Sequence, residues 1–123
     1  MSSEQQRIRV VWTATAVQCL GELPKKVRAG LLAKADELAA CWDPRAVHKP
    51  LVGPLAGLYR ITYARYRAIY KVTEDEIANG DVIVTITVCF IAAGIRKEHS
   101  KDDVYKVVEK IVRLGIVDPD AEK

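Results

Sequence analysis

The sequence predicts an α+β fold, in which an N-terminal strand and a helical hairpin pack on a mainly antiparallel four-stranded sheet, with a C-terminal helix. Three observations predict it. Residues 82–91 (VIVTITVCFI) are nearly all β-formers, as expected of a central strand covered on both faces. Two alternating segments between Leu58 and Val72 are separated only by Ala64 and Arg65, which reads as a hairpin. Val27, Leu31, Ala35 and Leu38 recur at helical spacing and form one apolar stripe.

Taken in chain order, residues 7–12 (RIRVVW) alternate and then become β-branched, giving a short first strand. Thr13 can cap a brief helix reaching about Leu20, with Gly21 as its stop. Pro24 opens a second helix at the position where proline costs least, and that helix ends near Cys41. Residues 42–57 hold Pro44, Pro50, Gly53, Pro54 and Gly57 and read as loop. Strands follow over about 58–63 and 66–72, then a polar turn, then a strand over 81–92. A final helix starts at Ser100, capped by its hydroxyl, with Asp103 favouring the positive helix end. Val104, Val107, Val108 and Ile111 give it a docking stripe.

The chain of 123 residues is long enough for one domain with a real core, spanning about 7–112, followed by an acidic tail at 117–123. No apolar run approaches the roughly 20 residues needed to cross a bilayer, and the polar N-terminus lacks the apolar centre of a secretory signal. A cytoplasmic protein without a membrane partner is expected. Cys19, Cys41 and Cys89 are odd in number, widely spaced and set among apolar residues, so they read as buried thiols. With only His48 and His99 as imidazoles and no ligand spacing, no metal or cofactor is expected.

Charge is segregated. From Pro44 to Thr73 there is no acidic residue, while Arg45, Lys49, Arg60, Arg65, Arg67 and Lys71 are cationic. A second basic cluster holds Arg96, Lys97, His99 and Lys101, and the acids collect at 74–76 and in the tail. This suggests one electropositive face suited to phosphate, although a basic solvated surface has the same pattern. If the hairpin pairs Thr62 with Arg67, then Leu58, Arg60, Thr62, Arg67, Ile69 and Lys71 share one side of the sheet. Tyr59, Ile61, Tyr63, Tyr66, Ala68 and Tyr70 take the other. Ala64-Arg65 is poor chemistry for a two-residue turn, and a loop of four would keep the same parity.

Residues 51–61 (LVGPLAGLYRI) resemble the L-x-G-x-L-x-G-x-Y-R-I signature of RelE/ParE superfamily toxins of type II toxin–antitoxin systems. Residues 66–72 (YRAIYKV) are similar to the Y-R-x-x-Y-x-V strand of that family, and Arg96-Lys97 followed by Val104-Tyr105 to the basic stretch and V-Y of its RelE-like branch. The resemblance covers about 7–112. It implies a ribosome-dependent endoribonuclease that cleaves mRNA and so inhibits translation, without metal or cofactor. The implied partners are a cognate antitoxin, mRNA and the ribosome, with a homodimer or a toxin–antitoxin hetero-oligomer as the assembly.

By the same resemblance Arg67 grips the scissile phosphate, Arg96 stabilises the leaving oxygen, and Tyr105 stacks on or orients a nucleotide. Lys97 can replace Arg96 if the loop shifts by one. RelE presents two strand lysines where this chain has Arg60 and Thr62, so charge is kept at the first position and lost at the second. A substitute base or RNA contact must come from His48, Lys49, Lys71, Lys97 or His99, of which the histidines have the better pKa. Two alternatives stay open: a ParE-like gyrase inhibitor, and an inactive homologue that only binds its antitoxin.

Overall fold

The computed structural model of the chain describes residues 5–41, 43–79, 81–98 and 103–113. Strand β1 (Gln5–Trp12) leads into α1 (Ala14–Gly21) and α2 (Lys25–Ala39). A short helix α3 (Pro44–Val47) and a 3-10 turn (Gly53–Leu55) precede β2 (Tyr59–Tyr63), β3 (Tyr66–Asn79) and β4 (Asp81–Ile95), and α4 (Val104–Arg113) follows. The sheet order is β1-β4-β3-β2, antiparallel except that β1 runs parallel to β4. The predicted α+β architecture is the one observed.

Local chemistry accounts for most element boundaries. The Thr13 hydroxyl accepts the Ala16 N–H at 3.1 Å, capping α1. Asp43 accepts the Arg45 N–H at 2.9 Å and Pro44 supplies the first helical residue, so a turn of helix forms where the proline content predicted only loop. Arg45 is then clamped between Asp43 at 2.9 Å and Glu74 of β3 at 2.6 Å. The polar stretch after Val72, predicted as a turn, is strand. Thr73, Glu74, Asp75 and Glu76 pair with Thr87, Ile86, Thr85 and Val84, because a long β4 offers a ladder that exposed polar residues can join.

β4 is the central strand that its composition predicted, with Val84, Ile86, Val88 and Phe90 buried on one side and Thr87, Cys89 and Ile91 on the other. On the first side the core gathers Ala16 and Leu20 of α1, the α2 stripe Val27, Leu31, Ala35 and Leu38, and Tyr70. Trp12 stacks on Phe90 with ring centroids 4.1 Å apart. Gly30 lets α2 approach β2, since a Cβ there would collide with the Tyr63 ring. On the second side α4 lays Val104 and Val108 over Ile69, Ile91 and Ala92, with Leu55 and Leu58 alongside. Val107, predicted to dock with them, is 37% exposed. A register shift between Ile69 and Tyr70 is a bulge on β4 that sends the successive residues Ile91 and Ala92 to the same side.

The β2–β3 loop has only two residues, because Tyr63 pairs with Tyr66. Ala64 is held there at φ 53, a conformation that costs a residue with a Cβ about 1–2 kcal/mol. Ala64→Gly is expected to stabilise the protein by about 0.5–1 kcal/mol, part of the relief being offset by the freer unfolded chain. A rise in the urea midpoint at constant slope would register it, and a fall would show that the turn is not strained.

Candidate functional site

The hairpin register settles which side chains share a face. Thr62 lies opposite Arg67 and Arg60 opposite Ile69, so Arg60, Thr62, Arg67, Ile69 and Lys71 all project to the α4 side, with Arg60 and Thr62 exposed. Arg60 and Arg67 are diagonal neighbours, which places their stems about 7–8 Å apart. Arg67 is half-buried. Its Nη1 donates to the Ala64 and Tyr66 carbonyls at 3.0 Å each, and its Nε is buried with no hydrogen-bond partner. The guanidinium thus braces the turn, and among the described residues its remaining donors are not committed to any acidic group.

Arg67 pairs across β3–β4 with Gly94, and the first residue of α4 sits over that glycine: a Cβ on Gly94 would meet Val104 at 3.4 Å. Just beyond, the Arg96 N–H donates to the Arg65 carbonyl at 2.7 Å, tying the end of β4 to the hairpin. The Arg96 guanidinium stacks 4.4 Å above the centre of the Tyr105 ring and donates to Asp103 at 2.6 Å, with Glu98 more distant at 3.7 Å. Tyr105 is half-buried.

Asp103 organises this corner, a role that its predicted place within the helix did not suggest. Its carboxylate is 2% exposed and accepts from the Arg96 guanidinium, the Lys97 N–H at 2.6 Å and the Tyr105 N–H at 3.2 Å. Helix α4 runs over Val104–Arg113, and the buried carboxylate just before it takes a capping bond from the Tyr105 N–H. Burial pushes the Asp103 carboxyl up, but the Arg96 charge and the two backbone donors outweigh it and hold the group below its ordinary 3.8.

The remaining candidates divide. Lys71 projects to the correct side but is 4% exposed, so it is not displayed on the surface as strand alternation had suggested. The Lys97 side chain is exposed at the end of β4. His99 and Ser100, like the tail at 117–123, lie outside the described residues. His48 and Lys49 sit instead beside the outer edge of β2, where they line a cavity with Arg60 and Thr62. Among the described residues no group of three or more His, Cys, Asp or Glu is placed to hold a metal ion. No described helix is long and apolar enough to cross a membrane.

His48 is fixed by a 2.7 Å hydrogen bond between its Nδ1 and the hydroxyl of the buried Tyr70. Burial first, then the charges of Arg60 and Lys34, hold the imidazole below its ordinary 6.5. A depressed histidine contributes stability that is present above pH 6.5 and is lost as pH falls through the folded-state value. The wild type should therefore lose more thermal stability than His48→Gln between pH 7 and pH 5. Parallel pH curves for the two proteins would contradict this.

The architecture is that of a small α+β fold with a basic, arginine-rich sheet face. Neither a protein-family model nor a curated protein sequence matches the chain. Among solved structures, it is similar to the RelBE2 toxin–antitoxin complex of Mycobacterium tuberculosis at 27% identity and a TM-score of 0.53, covering 73% of this chain and 99% of that one. It is also similar in fold to a double arginine-to-alanine mutant of the E. coli toxin RelE in the free state, at 19% identity and a TM-score of 0.53, covering 88% of this chain and 98% of that one. The likeness at 27% identity supports a RelE/ParE-type toxin fold for this chain.

Proposed function

We propose that this chain is the RelE-like toxin of a type II toxin–antitoxin pair, a ribosome-dependent endoribonuclease that cleaves mRNA in the cytoplasm and is neutralised by a cognate antitoxin. The observation that carries the reading is the common projection of Arg60 and Arg67 from facing strands, and the stacking of Arg96 on Tyr105 of α4 supports it. In the cleavage, a ribose 2′-oxygen attacks the adjacent phosphorus as its proton leaves. The 5′-oxygen of the next nucleotide departs and takes up a proton. Negative charge grows on the non-bridging oxygens, which is where fixed guanidinium donors act most strongly. Arg67 would hold those oxygens, Arg96 would face the departing oxygen as a charge stabiliser, and Tyr105 would carry a base.

His48 is the favoured proton acceptor among the described candidates, because it is neutral at pH 7 and shares a cavity with Arg60. It would compensate for Thr62, which supplies no base. The purified protein should shorten mRNA in a translating extract while leaving DNA supercoiling by gyrase untouched. Blocked supercoiling with intact mRNA would move it to the ParE-like reading, and silence in both assays would mark an inactive homologue.

A further inference from the structure

A cavity of about 610 Å³ opens between the C-terminal half of α2, the segment after α3 and the free edge of β2. Its apolar lining comes from Leu38, Leu51, Val52 and Ile61, and Val52 is 86% exposed at its margin. Cations reach it from three separate elements: Lys34 from α2, Lys49 from the loop and Arg60 from β2, all exposed. Against them stands one acid among the described lining residues, Glu37. Asp43 and Glu74 do not line the cavity and are paired with Arg45. Like charges gathered around a concavity repel one another, and an anionic occupant relieves that repulsion.

A simple phosphate would use the rim and leave the apolar lining wet, whereas a nucleotide uses both. Pockets that bind small molecules combine such an apolar body with a few convergent polar groups. The His48 ring, held by Tyr70, is the one aromatic surface among the described lining residues and suits a base. Arg60 and Thr62 line the cavity and also belong to the α4-side face that displays Arg67, so cavity and basic face are continuous.

We propose that the β2-edge cavity is a subsite for one nucleotide of single-stranded RNA, its phosphate held by Lys34, Lys49 and Arg60 and its base seated on the apolar lining. The subsite rests on the ribonuclease reading for its role: it would receive a nucleotide neighbouring the one cleaved, so that sequence preference is read on the β2 edge. Lys34 becomes an RNA contact that the sequence motifs do not include.

The test is an NMR titration of the full chain with 5′-AMP, adenosine, inorganic phosphate and the trinucleotide rA3. 5′-AMP should shift the His48 ring and the Ile61 and Thr62 amides, and bind at least tenfold more tightly than adenosine or phosphate, with rA3 tighter still. Lys34→Glu, on the exposed face of α2, should weaken 5′-AMP at least tenfold at an unchanged melting temperature. Equal binding of phosphate and 5′-AMP, weaker binding of rA3 than of 5′-AMP, shifts confined to other residues, or an unchanged affinity in Lys34→Glu would each overturn the proposal. Binding here by a chain that leaves mRNA intact would keep the site and remove the nuclease, so the two readings can fail separately.

Discussion

Arg67→Ala is expected to lower mRNA cleavage in a translating extract at least a hundredfold while the protein stays folded. Loss of a single fixed donor to a developing oxyanion typically lowers the rate by about 10²–10³. The native cost is smaller, because the bonds from Arg67 Nη1 go to two turn carbonyls on an exposed hairpin that water can reach. About 0.5–1.5 kcal/mol of stability should go with them. The Tyr63–Tyr66 pairing persists in the variant, since the ladder to Tyr59–Tyr70 does not depend on the guanidinium. Arg67→Lys keeps the charge but cannot brace both carbonyls and present a planar fork, so it should restore only part of the rate. The matching measurements are cleavage rate and circular dichroism on the same preparation. Undiminished cleavage by a folded Arg67→Ala protein would remove Arg67 from the site and the nuclease assignment with it.

That expectation could be framed from sequence because strand parity is a local property. Once Thr62 was set opposite Arg67, the sharing of one face by Arg60 and Arg67 followed from the two-residue repeat, and the observed register is the same. The helical stripe from Val27 to Leu38 was legible for the same reason. Features that depend on what a distant segment offers were not. Residues 73–79 look like a turn until β4 supplies their ladder, and the bulge that turns Ile91 and Ala92 to one side has no marker in a run of β-formers. The burial of Lys71 beneath the α4 side follows from helix docking, which strand alternation does not report. Asp103 was visible only as a favourable charge at a helix start. Its role as a shared acceptor requires Arg96, Lys97 and Tyr105 to converge, and that convergence is tertiary. A usable signal was present in the aspartate lying directly before the apolar V-Y-x-V-V run, the position of an N-cap.

Asp103→Ala is expected to loosen the start of α4 and to impair cleavage together. Removing the carboxylate withdraws one N-cap bond, worth about 1 kcal/mol, and a charge-assisted bond to Arg96, worth about 1.5–3 kcal/mol where water is excluded. Arg96 keeps 28% of its side chain exposed and can recover hydration, so the combined loss should be about 2–3 kcal/mol rather than the larger cost of a fully buried orphan charge. Freed from Asp103, the guanidinium has Glu98 as its one nearby acid among the described residues and no longer needs to lie over the Tyr105 ring. Amide exchange should therefore speed up at Lys97, Tyr105 and Val107. Asp103→Asn separates the two contributions: its carbonyl oxygen can still cap the helix, so stability should largely return while cleavage stays low. The wild type should reproduce the alanine phenotype in acid. A carboxyl held below 3.8 contributes stability above that pH and loses it as pH falls through its folded-state value. If exchange at Tyr105 is unchanged in Asp103→Ala and in wild type at low pH, the carboxylate does not organise this corner, and the placing of Arg96 against Tyr105 needs another cause.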